Sequence, residues 1–455
     1  MSLSRSDLRS AVDAGMPTVI EDLKQLARIP SVAFEGFDHS HVTRSAEAVA
    51  ELLRGAGMDD VRIVTAKGAS GQTGQPAVIG RKAAPAGAPH VLLYAHHDVQ
   101  PAGDYDDWEQ DDPFEPQLRG ERLFGRGCAD DKAGVMAHVA ALRAFGDDLP
   151  VGVTVFVEGE EEFGSDSLEN LITENRDLLA ADVIVIADSA NWDVGHPALT
   201  TSLRGVINAY VEVRTLNQAV HSGMFGGAVP DALTALCRLL GTLHDETGDV
   251  AVEGLKTGTA APLDLPEERL RAESGMVDGV EFIGSGRLVE RLWTKPTATV
   301  LGIDAPGARE SANALQPSAR AKISLRLAPG DESVSAFEAV KRHLEARVPW
   351  GAQLTVTLDH GGNPCQIDAR GERYDAARAA FAEAWDGVEP VDMGVGGAIP
   401  FIATFQELFP DAAILVTGVE DPDSRAHGPN ESLHLAEFTR ACRAEALLLH
   451  NLSEL

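Results

Sequence analysis

Apolar positions along this chain fall into two regimes. Near the N-terminus Leu8, Val12, Met16, Val19, Ile20 and Leu23 recur at helical spacing, which predicts a helix over about 6–28 that Pro30 ends. A second helix is predicted over 43–54, stopped near Gly55 and Gly57. Short continuous apolar runs follow: Val91-Leu-Leu-Tyr94, Val151-Gly-Val-Thr-Val-Phe-Val157, Val183-Ile-Val-Ile186 and, close to the C-terminus, Ala412-Ala-Ile-Leu-Val416. Runs this short, without polar alternation, read as strands buried on both faces. A helical stretch from Lys132 to Phe145 lies between two of them. Buried strands alternating with helices predict an α/β fold built on a mostly parallel sheet covered by helices. Residues 65–88, rich in Ala, Gly and Pro, are predicted as a loop.

From about residue 200 the pattern changes. Val206 to Arg214 and Arg320 to Leu327 alternate apolar and polar residues. In the latter, Ala321, Ile323, Leu325 and Leu327 share one face, and Arg320, Lys322, Ser324 and Arg326 the other. Half-exposed antiparallel strands have this period, and helices near 230–246 and 331–347 would cover their apolar side. The expected organisation is therefore a first domain over 1–199, an inserted α+β domain over 200–363, and a return to the first domain over 364–455. A length of 455 residues, too great for one ordinary core, agrees with two domains.

Charge and cysteine usage narrow the function classes. The net charge of −32 argues against nucleic acid and anionic membrane as partners. Cys128, Cys237, Cys365 and Cys442 lie far apart without a CxxC pair, so neither a disulfide framework nor a thiolate zinc site is expected. The N-terminus lacks an apolar signal core and no 18-residue apolar run occurs, which makes the cytoplasm the expected location.

Ligands of parallel sheets gather beyond the carboxyl ends of the strands, and acidic residues and histidines of this chain cluster there. His96 and Asp98 follow the first apolar run; one reading is a metal ligand oriented by a carboxylate, the other an ordinary strand-end polar cluster. His97 points the other way and reads as structural. Asp130-Asp131 precedes the Lys132 helix and reads either as a helix cap or as a carboxylate bridging two ions, and Cys128 beside it reads as packing. Glu160-Glu161-Glu162 is either a solvated acidic loop or a metal ligand next to a general base. Asp188 and His427 also follow predicted strands. As a set these side chains supply ligands for two divalent ions, an arrangement typical of hydrolases. In the inserted domain His221 lies in the Gly-rich stretch Gln218-Ala-Val-His221-Ser-Gly-Met-Phe-Gly-Gly227. Arg326 is suited to clamp a carboxylate, or is simply an exposed strand residue. Gly394-Val-Gly-Gly-Ala398-Ile-Pro400 offers backbone N–H groups for an anion.

Tyr94-Ala-His96-His-Asp98-Val-Gln-Pro101, Gly125-Arg-Gly127, Glu161-Glu162, His221-Ser-Gly-Met-Phe-Gly-Gly227 and Ser324-Leu-Arg326-Leu together resemble the dinuclear-zinc aminoacylase and peptidase family, and within it the carnosinase and cytosolic nonspecific dipeptidase branch. The resemblance spans nearly the whole chain. It implies a zinc-exopeptidase-like first domain, with Asp130 bridging two metals, His96 and Asp188 completing one site, and Glu162 and His427 the other. It further implies Glu161 as general base, Asp98 orienting His96, and a cis Asp130–Asp131 peptide. The inserted domain would mediate a homodimer, with His221 and Asn313 reaching the other subunit's active site. Arg326, Gly396 and Gly397 would hold the substrate's C-terminal carboxylate. Ala398, Asn313 and Asp131 depart from the Ser, Thr and Asn that members of the family carry there. The implied cofactors are two divalent ions, zinc first, with Mn²⁺ or Co²⁺ as alternatives because mixed carboxylate–imidazole sites accept several ions. The implied activity is hydrolysis of a dipeptide amide bond by a metal-bridging water. The rivals are an N-acyl-amino-acid deacylase or desuccinylase, and a non-catalytic metal-binding protein.

Overall fold

The computed structural model describes residues 3–397 and 400–455, and the chain divides into two compact units. The first comprises Met1–Thr201, Asp368–Asp392 and Thr404–Leu455; the second comprises Ser202–Ile367 and Met393–Ala403. The stretch 393–403 thus belongs to the second unit, although it lies beyond the 200–363 span that periodicity suggests. No helix among the described residues is long and apolar enough to cross a membrane.

The sheet of the first unit runs in the spatial order Asp60–Val64, Ala77–Lys82, Gly152–Glu158, His90–His96, Val183–Ile186, Ala413–Val416 and Ala198–Leu203. The four strands from Gly152–Glu158 to Ala413–Val416 are mutually parallel, and the outer ones pair antiparallel. Alternate residues of each central strand serve different faces. Val91, Leu93 and Ala95 join the large core beneath the helices Arg5–Ala27, Lys132–Phe145 and Leu435–Leu452, while Tyr94 packs edge-on against Phe156 and Phe405 on the other side. Both faces are therefore dry, which is why the interiors of these strands are apolar apart from Thr154, whose Oγ1 donates to Leu178 O. Burying each Val, Leu or Phe contributes roughly 1.5–3 kcal/mol.

The first helix starts where Ser4 and Asp7 form a reciprocal capping box and ends at Ala27. The 65–88 segment corrects an expectation: Ala77–Lys82 is a strand, antiparallel to Gly152–Glu158. Its four leading residues are buried, and at Gly80 a Cβ would approach Leu53 Cδ1 to 3.0 Å. A glycine demanded by close packing looks, in sequence, like one demanded by a turn.

In the second unit four antiparallel strands lie in the order Thr297–Asp304, Ser318–Leu327, Gly205–Arg214 and Gln353–Gly362. Ser318–Leu327 alternates in burial as its sequence alternates in polarity. Helices Ala232–Leu240 and Ser333–Arg347 cover its apolar face, joining Ala321, Ile323 and Leu325 in one core. The helix expected over 230–246 is shorter, giving way at Gly241 to a 3₁₀ turn.

Candidate metal centre

His96 is the last residue of its strand, and Asp188 lies two residues beyond the end of the neighbouring one. Both therefore stand at the carboxyl edge of the parallel sheet. Two groups of donors form there, within the first unit: His96, Asp130 and Asp188, and Asp130, Glu162 and His427; in each, the donor atoms lie within 4.8 Å of one another. Asp130 belongs to both. Its Oδ1 is 3.1 Å from His96 Nε2 and its Oδ2 is 3.1 Å from His427 Nε2. His96 Nε2 is 4.0 Å from Asp188 Oδ1, and His427 Nε2 is 3.2 Å from Glu162 Oε2. One carboxylate whose two oxygens each approach a different imidazole could bridge two ions, and the mixed oxygen–nitrogen donor set suits a pair of divalent ions. The Asp130–Asp131 peptide is cis.

The supporting contacts separate the acidic residues into distinct roles. Asp98 is wholly buried. His96 Nδ1 is 3.1 Å from its backbone oxygen and 3.4 Å from its Oδ1. Both are acceptors, so Nδ1 carries a hydrogen and Nε2 is the nitrogen left to ligate. The same carboxylate accepts the N–H groups of Glu161 (3.1 Å) and Glu162 (3.0 Å), fixing the turn that carries them. The run 160–162 is no solvated loop. Glu160 is buried and accepts from the backbone of Gln75 and Ser167 and from Ser167 Oγ. Glu162 accepts from Gln100 Nε2 at 2.8 Å. Glu161 makes no side-chain hydrogen bond among the described residues.

Asp131 occupies the cap position of the Lys132–Phe145 helix but makes no capping bond; its carboxyl, buried, accepts the N–H of His96 at 3.2 Å. His97 is buried with Nε2 on Pro76 O, and burial pulls its pKa down to about 4. Cys128 is packed, and burial pushes its thiol up. Lys132, unremarked in the sequence, is fully buried, donates to Leu26 O and Ile29 O, and is pulled down to about 7 by burial.

The field at the centre favours cations. Burial opposes it, yet hydrogen bonds to Asp130 and Asp98 hold His96 well above the usual imidazole range. Hydrogen bonds to Asp130 and Glu162 push His427 up to about 11. Burial and then the charge of Asp188 hold Glu161 well above the usual carboxylate range, and burial does the same for Asp188. His427 adopts a φ of +63°, in the left-handed region, beside Gly428.

Within the second unit, Arg326 lies in register with Val206 and Thr297. Arg204, which sequence reasoning passed over, donates from Nε to Gly396 O at 3.2 Å and from Nη1 to Thr297 Oγ1 at 3.4 Å. Burial, and then the like charge of Arg326, pull Arg204 down to about 10. Neither guanidinium has a carboxylate partner among the described residues. His221 and Asn313 are also brought together: His221 pairs with Ala314, and Ser222 N–H donates to Asn313 O at 3.0 Å. His221 Nδ1 accepts the Gly223 N–H at 3.1 Å, which leaves Nε2–H directed elsewhere. Ala398 lies outside the described residues.

A family model described as "Peptidase family M20/M25/M40" matches residues 92–451. The chain is 35% identical over 413 residues to a cysteinylglycine-S-conjugate dipeptidase of Corynebacterium striatum, covering 89% of each. It is 29% identical over 474 residues to a Beta-Ala-His dipeptidase of Rattus norvegicus, covering 98% of this chain and 94% of that one. Among solved structures it is similar to the dipeptidase Dug1p from Saccharomyces cerevisiae, at 25% identity and a TM-score of 0.84 with all of both chains covered. It is likewise similar to human carnosine dipeptidase 1, at 26% identity and a TM-score of 0.82 over 99% of each.

Proposed function

The chain belongs to peptidase family M20/M25/M40, and we propose that it is a metal-dependent hydrolase cleaving the amide bond of dipeptides, with Glu161 as general base. The observation that carries this reading is the pair of donor groups joined through Asp130, with the raised carboxyl of Glu161 beside them. His96, Asp130 and Asp188 would hold one ion, and Asp130, Glu162 and His427 the other. Two imidazoles and three carboxylates suit zinc, with Mn²⁺ or Co²⁺ as substitutes. When bound, the ions acidify a water and polarise the scissile carbonyl.

Glu161 takes that water's proton as its oxygen attacks, then gives the proton to the leaving amine. Its carboxyl makes no side-chain hydrogen bond among the described residues, which leaves it available to the proton. Asp98 keeps the base and His96 in step, since its one carboxylate holds both. In the second unit Arg326, Arg204 and the Gly396–Gly397 backbone take the substrate's terminal carboxylate, and His221 Nε2–H serves the oxyanion. The names of these relatives specify cysteinylglycine conjugates and Beta-Ala-His; such dipeptides end in the carboxylate that Arg326 would read. His221 and Asn313 stand exposed on adjoining segments, with Met224 and Phe225 exposed nearby, which supports a homodimer in which each second unit serves the other subunit. Four cysteines with no disulfide between them fit a cytoplasmic enzyme.

The test is hydrolysis by purified protein, stripped of metal and resupplied with Zn²⁺ or Mn²⁺, of dipeptides beside N-acetyl and N-succinyl amino acids. Metal-dependent release of two amino acids is expected. Turnover of acylated substrates alone would reassign the protein to the deacylases.

A further inference from the structure

Behind the metal centre lies a buried ion pair that the mechanism does not use. Glu431 and Arg126 are both almost wholly buried, with Glu431 Oε2 2.7 Å from Arg126 Nη1. The Glu431 carboxylate also accepts three successive-loop N–H groups: Gly127 to Oε2 at 3.0 Å, and Ala129 and Asp130 to Oε1 at 2.9 and 3.1 Å. The loop that presents Asp130 is therefore wrapped around a carboxylate delivered from some 300 residues further along the chain. Arg126 reaches the other way as well. Its Nη2 donates to Gly428 O at 3.1 Å, next to His427, while its guanidinium lies 5.5 Å from the centre of the Trp108 ring. Close packing reinforces the wrap, since Gly127 has φ +79° and a Cβ there would meet Val99 Cγ1 at 2.7 Å.

Asp130 and His427 are two of the three donors in one metal group, and only Asp130 is shared with the other. His96 is held independently, by its strand and by Asp98. We propose that Glu431 and Arg126 are positioning residues that lock the Asp130 loop to the His427 loop, and that Arg126 tunes the Asp130–Glu162–His427 ion selectively while Glu431 tunes both ions. The reason is geometric. The planar fork of arginine holds two separate donors in one fixed geometry, Nη1 on Glu431 and Nη2 on a carbonyl beside His427. Groups that orient ligands from behind commonly set metal affinity by roughly 10–100-fold.

This rests on the dinuclear reading, and the test keeps the two apart. Zn²⁺ is titrated calorimetrically into metal-stripped protein, and the binding event lost in His427→Ala identifies the Asp130–Glu162–His427 ion. Arg126→Lys keeps the charge but loses the fork. It is expected to weaken that event by about 10–100-fold and to leave the other within about threefold. Glu431→Gln, which turns a donor towards Arg126 and Gly127, is expected to weaken both. Glu431→Asp, shorter but still charged, should recover part of the loss. Melting of the stripped proteins is followed in parallel. Equal weakening of both events in Arg126→Lys, unchanged affinities in the folded variants, or a fall in stripped-protein melting temperature without an affinity difference would each overturn the proposal. Absence of two saturable events in the unaltered protein would instead overturn the dinuclear reading.

Discussion

In the first unit the side chain of His96 is fully buried, and Asp98 and Asp130 beside it are each held by a further element as well; in the second, His221 stands exposed with Met224 at 75% exposure three residues on. The two histidines face different physical demands. His96, as a proposed ligand, must hold its geometry against the repulsion of several carboxylates, and it is set at a strand end with dry packing on both faces and an orienting partner. His427, the other proposed imidazole, lies in a loop, is 59% exposed and is held by Asp130 and Glu162 instead. A residue that meets a substrate or another subunit must remain accessible, and the alternating strands of the second unit leave one face free for that. On the proposed reading, rigid metal chemistry and open recognition would fall to different sheet types.

The largest test of this division is Glu161→Ala. Loss of a positioned base should lower kcat by roughly 10²–10⁴-fold while metal content, measured by mass spectrometry, stays at two ions. Loss of an ion would move Glu161 from base to ligand. For the second unit, His221→Ala should lower kcat by roughly 10²-fold with the melting temperature unchanged. Mixed with Glu161→Ala, it should recover activity in heterodimers, and failure to recover would confine His221 to its own subunit.

One substitution made in both regions sharpens the contrast. At Gly418 a Cβ would lie 1.4 Å from Ser189 O, next to Asp188, whereas at Gly302 it meets nothing within 4 Å. Gly418→Ala should destabilise by about 3 kcal/mol or more in denaturant melts, and Gly302→Ala by no more than about 0.5 kcal/mol. Equal effects would erase the distinction between a rigid and a permissive region.

The smallest effect concerns protons. With its pKa pushed up to about 11, His427 is protonated at pH 7 in metal-stripped protein, and His96 is held high in the same sense. Metal uptake must displace these protons, so apparent affinity should rise by about tenfold per pH unit for each proton released. Titration in buffers of different ionisation enthalpy measures the number released. The same sign governs the stripped fold: the stabilisation from His427 is complete below about pH 6.5 and is lost as pH rises through about 11.

Much of the centre was legible because strand ends can be read locally. Val91–Tyr94 and Val183–Ile186 are short apolar runs of the kind a doubly covered strand produces, and His96 and Asp188 each lie two residues past their run. Ala77–Lys82 was not legible, because its glycine answers to Leu53 rather than to a turn. Arg204 was passed over for a related reason: what sets it apart is Arg326, distant in sequence, and the absence of an acid beside it among the described residues.

The sequence by itself determined the two periodicities, hence a parallel α/β sheet and an antiparallel α+β unit, and it determined the set of donor types. These follow from neighbours a few residues apart, whose solvent preferences fix helix, strand and face. Only the tertiary structure decided which of Glu160, Glu161 and Glu162 is tied down by Ser167, by Asp98 or by Gln100. It alone decided that Asp131 supports His96 rather than capping a helix, and that Glu431 closes the loop carrying Asp130. Those outcomes depend on which groups burial leaves in need of a partner, and a buried charge finds its partner by distance in space, not along the chain.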